Sequence, residues 1–375
     1  MNESPARLRI WSAEPLPRDV SRSIERLRQA DDVRHVVVLP DVHLAGDSCV
    51  GAVVATKTLI YPAAVGGDIG CGMAAVALNA TAELIDEDRA AAGLLASFYR
   101  HIPSNRHPVR QELPPTLDGM KLSHSSLENQ LNRDGRVQLG TLGRGNHFLE
   151  LQADENQRLW VLVHSGSRGM GQAITRQSTH GARQVAGLAC LDADTAAGCA
   201  YLGNVAWART YAAENRLAML RAVESTFREG FSTTIDWSTL IQSDHDHVRR
   251  ESHFGEELWI HRKGAQSAAA GEAGIIPGSM GTSTFHVSGR GCAESLNSCS
   301  HGAGRLLSRT AARQSIGIGA FERQLQGVRF DHRRSGVLRE EAPEAYKDIE
   351  TVLRAQKDLV KIIRRLRPLL SYKGT

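Results

Sequence analysis

The chain has 375 residues, 41% of them apolar and 23% charged, with a net charge of +4 and a pI near 8.8. That length suits one large domain or two ordinary ones, and the composition is that of a globular protein rather than a disordered or low-complexity one. The opening MNESPARLRIW has no apolar signal core, and no stretch approaches the ~18 apolar residues of a membrane span. Six dispersed cysteines without a CxxC pair do not make a disulfide framework, so a reducing cytoplasm is the expected compartment and no membrane partner is expected. The mildly basic balance is compatible with nucleic-acid binding without demonstrating it.

In chain order, residues 17–30 read as a helix and RHVVVLP (34–40) as a buried strand. Residues 50–66 alternate strand-like runs with small residues. Residues 81–102 read as a helix, with Thr81 as N-cap and acidic residues in its first turns. Residues 103–135 are polar, first Pro-rich and then helical, and are the expected variable region. VQLGTL and HFLELQ read as strands around a tight GRGN turn, and RLWVLVH (158–164) as a strand ending in the SGSRG loop. Helices are expected over 170–188 and 200–230, and strands over 257–264 and 282–289. A small-residue turn leads into a helix at roughly 302–315, and residues 343–370 read as a basic helix. There is no regular βαβ rhythm, internal repeat or linker. The expected fold class is therefore α+β: one large mixed domain over 1–375, with central β-sheets flanked by helices.

Five short segments concentrate the chemistry: GGDIGCGM (66–73), GRGNHFLE (143–150), VHSGSRGMG (163–171), SDHDHVRRE (243–251) and SCSHGAGR (298–305). Asp68 and Cys71 stand three apart in a Gly-rich loop, where a carboxylate and a thiolate suit Mn²⁺, Fe²⁺ or Zn²⁺. The alternative there is a turn with a capping Asp and a buried Cys. His147 follows Asn146 after the GRG turn, His164 ends a strand, and His245 sits in a polar run. Each histidine alone is more often structural. Five potential ligands, each beside a loop, point instead to a metal centre, since loops at strand ends are where sites are built. Neutral imidazoles with a bridging thiolate could hold two ions close together. His301, in a turn that lets backbone N–H groups approach a phosphate, is the candidate nucleophile. The set suggests metal-assisted phosphoryl or nucleotidyl transfer through a histidine. Asp41 is either an orienter of a ligand histidine or a turn residue. His35 and His43 are open, and His247, His253 and His261 are assigned surface or supporting roles. Arg168, Lys263 and Arg305 are cations beside these segments, suited to a phosphate or RNA terminus, and IPGSMGTST (276–284) is a loop suited to phosphate or ribose.

Together LPDVHLAGDSCVG, PAAVGGDIGCGM, LGTLGRGNHFLE, VHSGSRGMG, ESHFGEELWIHRKGA, GIIPGSMGTSTF and SCSHGAGRLLSRT closely resemble the RtcB family of 3′-phosphate/5′-hydroxyl RNA ligases over roughly 34–315. The resemblance implies the family's own α+β fold, two Mn²⁺ ions and GTP. It implies metal ligation by Asp68, Cys71, His147, His164 and His245, with Cys71 bridging, and a guanylylated histidine at His301. Asn146 matches a residue near the nucleotide and incoming phosphate. Glu150, Ser279, Thr284, Gly302, Ala303, Tyr346 and Lys373 are expected around GMP, and Arg168, Lys263 and Arg305 around the RNA phosphate. The implied partners are RNAs with 3′-phosphate or 2′,3′-cyclic phosphate and 5′-hydroxyl ends, and an archease-like activator. The alternative is a metal-dependent phosphoesterase or a 3′-end guanylyltransferase on the same scaffold. Asp246 replaces a usual Asn, LAGDSCVG lacks the Gly-Lys-Gly of many members, and Arg144 and His261 replace smaller residues. These departures leave RNA preference open, with tRNA splicing and the repair of cleaved RNA by a divergent paralogue both standing.

Overall fold

The computed structural model describes residues 6–12, 14–46 and 48–374; Asp47 of the LAGDSCVG segment lies outside them. Helices and strands are mixed as expected of α+β, and two sheets carry the architecture. One has five strands in the order Arg7–Ile10, Val33–Ala45, Ser48–Thr56, Glu256–Lys263 and Asp246–His253. The other has seven, in the order Ile235–Asp244, Gly72–Thr81, Arg158–Ser165, Phe148–Ala153, Val360–Lys373, Thr284–Gly289 and Ala273–Pro277. Ile235–Asp244 passes through His245 directly into Asp246–His253, so one residue links the two sheets.

The centre of the larger sheet is buried on both faces. Ala74, Val76 and Leu78 point into one core, and Met73, Ala75 and Ala77 into another, as a two-residue period requires. The first core is closed by the helix Ala196–Phe231, through Met219, Leu220, Val223 and Phe227. Each such buried aliphatic or aromatic contributes roughly 1.5–3 kcal/mol. Thr195 caps that helix by accepting the Gly198 N–H at 3.2 Å, and Ser232 ends it in a left-handed conformation. No helix among the described residues is long and apolar enough to cross a membrane.

Several sequence expectations are corrected. The basic helix over 343–370 is absent: only Ile349–Ala355 is α-helical, and Val360–Lys373 is a strand between Phe148–Ala153 and Thr284–Gly289. Its Pro368 is accommodated by a register shift between Pro368 and Leu370, which is how a central strand tolerates a missing donor. VQLGTL is not a strand. Arg136–Gln138 is a helical turn and Gly140, at φ +77, reverses the chain after it. The helix expected from about 302 begins only at Arg309, capped by Ser308. Thr81 precedes a 3₁₀ turn without a side-chain cap, and the helix proper is Asp88–His101. The 170–188 helix stops at Thr179, and its remainder forms Arg183–Val185 of a small sheet.

Candidate active site

Four strand ends of the larger sheet meet at one edge. Gly72 pairs with Ser165 and with Asp244, and Phe148 pairs with His164. Antiparallel pairing therefore brings Cys71, just before one strand, beside His164 near the end of the next. It also brings in His147, just before the third strand, and His245, just after the fourth. Residues far apart in sequence meet because each flanks a register-locked strand. The His245 N–H donates to Cys71 O at 2.8 Å, which ties the last of these loops down.

Cys71 Sγ lies 3.2 Å from His164 Nε2 and 3.4 Å from His147 Nε2. His164 Nε2 is 3.3 Å from His245 Nε2, and His147 Nε2 is 3.1 Å from Asp68 Oδ2. Two donor groups result, Cys71–His164–His245 and Asp68–Cys71–His147, and Cys71 belongs to both. Burial, reinforced by the neighbouring imidazoles, holds His164 and His245 well below the usual histidine range. Burial and the Asp68 carboxylate push the Cys71 thiol well up. Converging neutral imidazole nitrogens around a thiol and a carboxylate form a donor set that a borderline-to-soft divalent cation fits. His164 Nδ1–H donates to Asn146 O at 3.2 Å, which leaves Nε2 free of its proton and facing the cluster. Arg168 Nη2 donates to His147 Nδ1 at 2.8 Å. Its guanidinium occupies the space over Gly143, where a Cβ would stand 1.4 Å from Nη1.

His301 follows the strand Ser298–Ser300, and its ring centroid is 4.6 Å from that of His245. Its Nδ1–H donates to Asp41 Oδ2 at 2.7 Å, and its backbone N–H donates to the same oxygen at 3.1 Å. Burial opposes charge on this ring, but the Asp41 carboxylate more than offsets that and raises its pKa. Asp41 is fully buried, at a register shift between Val38 and His43. Its carbonyl rests against Gly304, where φ is +76 and a Cβ would sit 2.3 Å from Asp41 O. Asp41 thus orients His301 rather than a ligand histidine. Lys347 was not singled out by the sequence; its Nζ donates to Pro40 O and Val42 O, both at 2.8 Å, and so fixes the residues on either side of Asp41.

His164, His245 and His301 line a cavity of about 730 Å³. Asn146, Glu150, Ser279, Gly302, Ala303, Arg305, Tyr346 and Lys373 line it as well. Burial pushes the Glu150 carboxyl up to about 7; it accepts from Gln152 Nε2 and Ser371 Oγ at 2.8 and 3.1 Å. Asp246 is also in the wall. Burial raises it to about 7, and its Oδ1 accepts the Gly264 N–H at 2.7 Å. Not every expected residue faces this space. Thr284 lies behind Glu150, its hydroxyl accepting from Gln152 Nε2 at 2.8 Å. Lys263 Nζ donates to Ala45 O and Ser48 O at 2.9 and 3.1 Å, within the segment that lacks Gly-Lys-Gly. Arg305 does line the cavity, with its Nη1 engaged by Tyr346 and Glu341. His261 is core rather than surface: it is fully buried and accepts the Tyr61 N–H at 3.1 Å. His247 and His253 are buried too, beside Asp244 and Glu251 at 3.2 and 3.0 Å. His43 Nδ1–H donates to Asp41 O at 2.9 Å, His35 stacks on Phe254, and the exposed Arg144 makes no contact that explains its presence.

A family model described as tRNA-splicing ligase RtcB matches residues 24–121 and 116–374. The chain belongs to the RtcB family. The RNA-splicing ligase RtcB of Escherichia coli (strain K12) is 39% identical over 373 residues, covering 91% of this chain and 90% of its own length. That of Mycobacterium tuberculosis (strain ATCC 25618 / H37Rv) is 30% identical over 428 residues, covering 91% and 97%. The tRNA-splicing ligase RtcB of Methanococcus maripaludis is 26% identical over 446 residues, covering 96% and 92%. In this RtcB-family chain, the geometry joins what the sequence segments suggested with two residues they did not. Glu341 and Lys347 sit in the stretch EEAPEAYK, which has no ligand spacing or glycine pattern to mark it.

Proposed function

We propose that this chain is a GTP- and Mn-dependent RNA ligase. It would join RNA 3′-phosphate or 2′,3′-cyclic phosphate ends to 5′-hydroxyl ends, in tRNA splicing or RNA repair. The observation that carries the reading is His301: an imidazole held by Asp41 through Nδ1, with Nε2 left as the nucleophilic nitrogen, ring to ring with His245 of the donor cluster. A metal-dependent phosphoesterase would use the same Asp41–His301 pair as a general acid, and a GMP label on His301 separates the two readings.

Asp68, Cys71, His147, His164 and His245 would hold two Mn²⁺ ions, Cys71 being shared. Bound there, the ions would neutralise charge developing on phosphoryl oxygens and acidify an attacking hydroxyl or water. His301 Nε2 attacks the α-phosphorus of GTP; the bond to the bridging oxygen breaks and pyrophosphate leaves. Asp41 accepts from Nδ1–H throughout and stabilises the positive charge that forms on the ring. The RNA 3′-phosphate oxygen then takes the GMP as the P–N bond breaks. A 5′-hydroxyl attacks the activated phosphorus, loses its proton and expels GMP; a cyclic phosphate is first opened by water. Glu150, Ser279, Gly302, Ala303, Tyr346 and Lys373 would surround GMP, with Thr284 acting from behind Glu150. Asn146, Arg168, Lys263 and Arg305 would serve the phosphates. The chain acts as one domain, in the cytoplasm, with an archease-like activator as a candidate partner.

The test is incubation with α-labelled GTP and Mn²⁺ followed by denaturing electrophoresis. An acid-labile, base-stable label on the wild type and none on His301→Ala, at equal metal content, is expected. Label retained by His301→Ala would remove the nucleophile assignment, and an unlabelled, metal-loaded wild type would remove nucleotidyl transfer.

A further inference from the structure

Glu341 ends the turn Arg339–Glu341, is 4% exposed and belongs to the cavity wall. Its two oxygens serve different partners. Oε2 accepts from Lys373 Nζ at 2.5 Å and from Tyr346 OH at 2.8 Å. Oε1 accepts from Arg305 Nη1 at 3.3 Å and from Arg309 Nη1 at 3.2 Å. Burial alone would raise this carboxyl, but Lys373, Arg309 and Arg305 together hold it down to about 2. It is an anion shared by three cations near the cavity. Lys373 has its bond here; Arg309 is also held by Glu340 Oε1 at 2.7 Å, and Arg305 by Tyr346 OH at 2.8 Å and by the Glu340 and Leu307 carbonyls at 2.7 and 2.9 Å. The two arginines on Oε1 therefore keep other acceptors when a phosphate draws them off it, whereas Lys373 is held by a charge-assisted bond to Oε2.

We infer that Glu341 is a positioning residue that couples the two ends of the cavity. A phosphate that draws Arg305 and Arg309 off Oε1 leaves the carboxylate charge to Lys373 and Tyr346, and tightens their placement against a nucleobase. This rests on the reading of the cavity as a nucleotide site. The shared ligand chemistry is a phosphate monoester at the arginine pair, from the nucleotide itself or from an RNA 3′-phosphate end. Physically, a carboxylate that loses donors on one oxygen becomes a stronger acceptor on the other. Arg305 also bonds Tyr346 directly, so it is at Lys373 that occupancy of the arginine end is felt through Glu341 alone.

The experiment is a double-mutant cycle of Arg305→Ala and Lys373→Met, read by calorimetric binding to the full-length protein. One arm titrates GMP. The other titrates guanosine in the presence of a 3′-phosphorylated ribo-oligonucleotide. Coupling expects the combined loss of affinity to depart at least about fivefold from the product of the single losses, and to return to that product in a Glu341→Gln background. Coupling with GMP assigns the nucleotide's phosphate, and coupling in the guanosine arm assigns the RNA end. Strictly multiplicative losses in both arms, or coupling that survives Glu341→Gln, overturn the inference. Should Glu341→Gln lose its fold by thermal melting, Glu341→Asp replaces it. That variant keeps the charge but reaches only one pair, so the coupling must shrink. A wild type that binds neither GMP nor guanosine overturns the nucleotide-site reading itself.

Discussion

Replacing Asp41 by Asn probes the nucleophile without removing it. In the wild type, Asp41 Oδ2 accepts both the backbone N–H and the Nδ1–H of His301, while Oδ1 is buried without a partner. An amide in this cradle has two poor choices. With its oxygen toward His301, it keeps both bonds but puts a buried NH₂ group in place of the unpartnered Oδ1, and it loses the negative charge that stabilises the ring as it bonds to phosphorus. With its NH₂ toward His301, it donates to Nδ1 and shifts the imidazole proton to Nε2, which silences the attacking atom. A hydrogen bond to a charged group contributes about 1.5–3 kcal/mol, and each 1.4 kcal/mol is tenfold in rate. Asp41→Asn is therefore expected to slow histidine guanylylation by about 10- to 150-fold, with metal content unchanged because Asp41 touches no member of the donor cluster. The assay is the initial rate of labelling by α-labelled GTP. Labelling at the wild-type rate would refute the claim that Asp41 sets the tautomer and charge of His301.

Cys71→Ala removes the donor common to both groups of the cluster. Metal analysis after dialysis is expected to show loss of most of the bound Mn²⁺ together with the label, and full occupancy would exclude a bridging thiolate. Gly304→Ala places a Cβ 2.3 Å from Asp41 O at a φ of +76. The left-handed conformation alone costs about 1–2 kcal/mol and the overlap with the Asp41 backbone adds to it, so the melting temperature falls, and the displaced Asp41 loop is expected to cut labelling at least about tenfold. Equal labelling would show that the loop yields without consequence. Glu251 is held down to about 2 although burial opposes it; His253 and Arg262 do this by hydrogen bond and charge. Because its folded pKa is depressed, its stabilisation is complete above the unfolded value of about 4.5 and is lost as pH falls toward 2. The full shift corresponds to about 3 kcal/mol, and to nearer half that after screening of a partly exposed group. Glu251→Gln should therefore flatten the fall in urea midpoint between those pH values, and an unchanged slope would refute the assignment.

The donor cluster was legible because its chemistry is written locally. A Gly-rich turn with Asp and Cys three apart, and histidines abutting turns, survive as patterns whatever the tertiary structure does. The central strands were legible for a related reason: VVVLP and the LWVLV of RLWVLVH are unbroken β-branched or apolar runs, as strands buried on both faces must be. The C-terminal strand was not. VKIIRRLRPLLSYK mixes basic and apolar residues in a way that satisfies a helix face, and its Pro368 argues against a central strand. Only pairing with Phe148–Ala153 and Thr284–Gly289, with a bulge at the proline, decides otherwise. The resemblance named Lys373, but a helix gave no account of how it reaches the site. As a strand, the segment delivers Lys373 opposite Phe148, one residue from His147. Glu341 was illegible for a different reason. A buried carboxylate that works by facing four side chains, three of them from distant segments, leaves no spacing in the sequence, and in EEAPEAYK it looks like any solvated acid.

The position of His245 gives the arrangement a mechanical meaning. The donor cluster is built at one edge of the seven-stranded sheet, whereas Asp41, which aims the nucleophile, lies on a strand of the five-stranded sheet. The strand running through His245 belongs to the first sheet before that residue and to the second after it. The His245 backbone is pinned from both sides, its N–H donating to Cys71 O at 2.8 Å and its carbonyl accepting the Ala265 N–H at 3.1 Å. Ala265 pairs in turn with Ser300, the residue before His301. Cluster and nucleophile are therefore joined by one short backbone path, Cys71 to His245 to Ala265 to Ser300, rather than by side chains alone. A nucleophile that must meet a phosphorus atom held at a metal centre tolerates little misplacement, since an error of about 1 Å can cost on the order of 100-fold in rate. A hydrogen-bonded main-chain link across the two sheets meets that demand better than packing between them, because its length is fixed by peptide geometry and not by which side chains fill the gap.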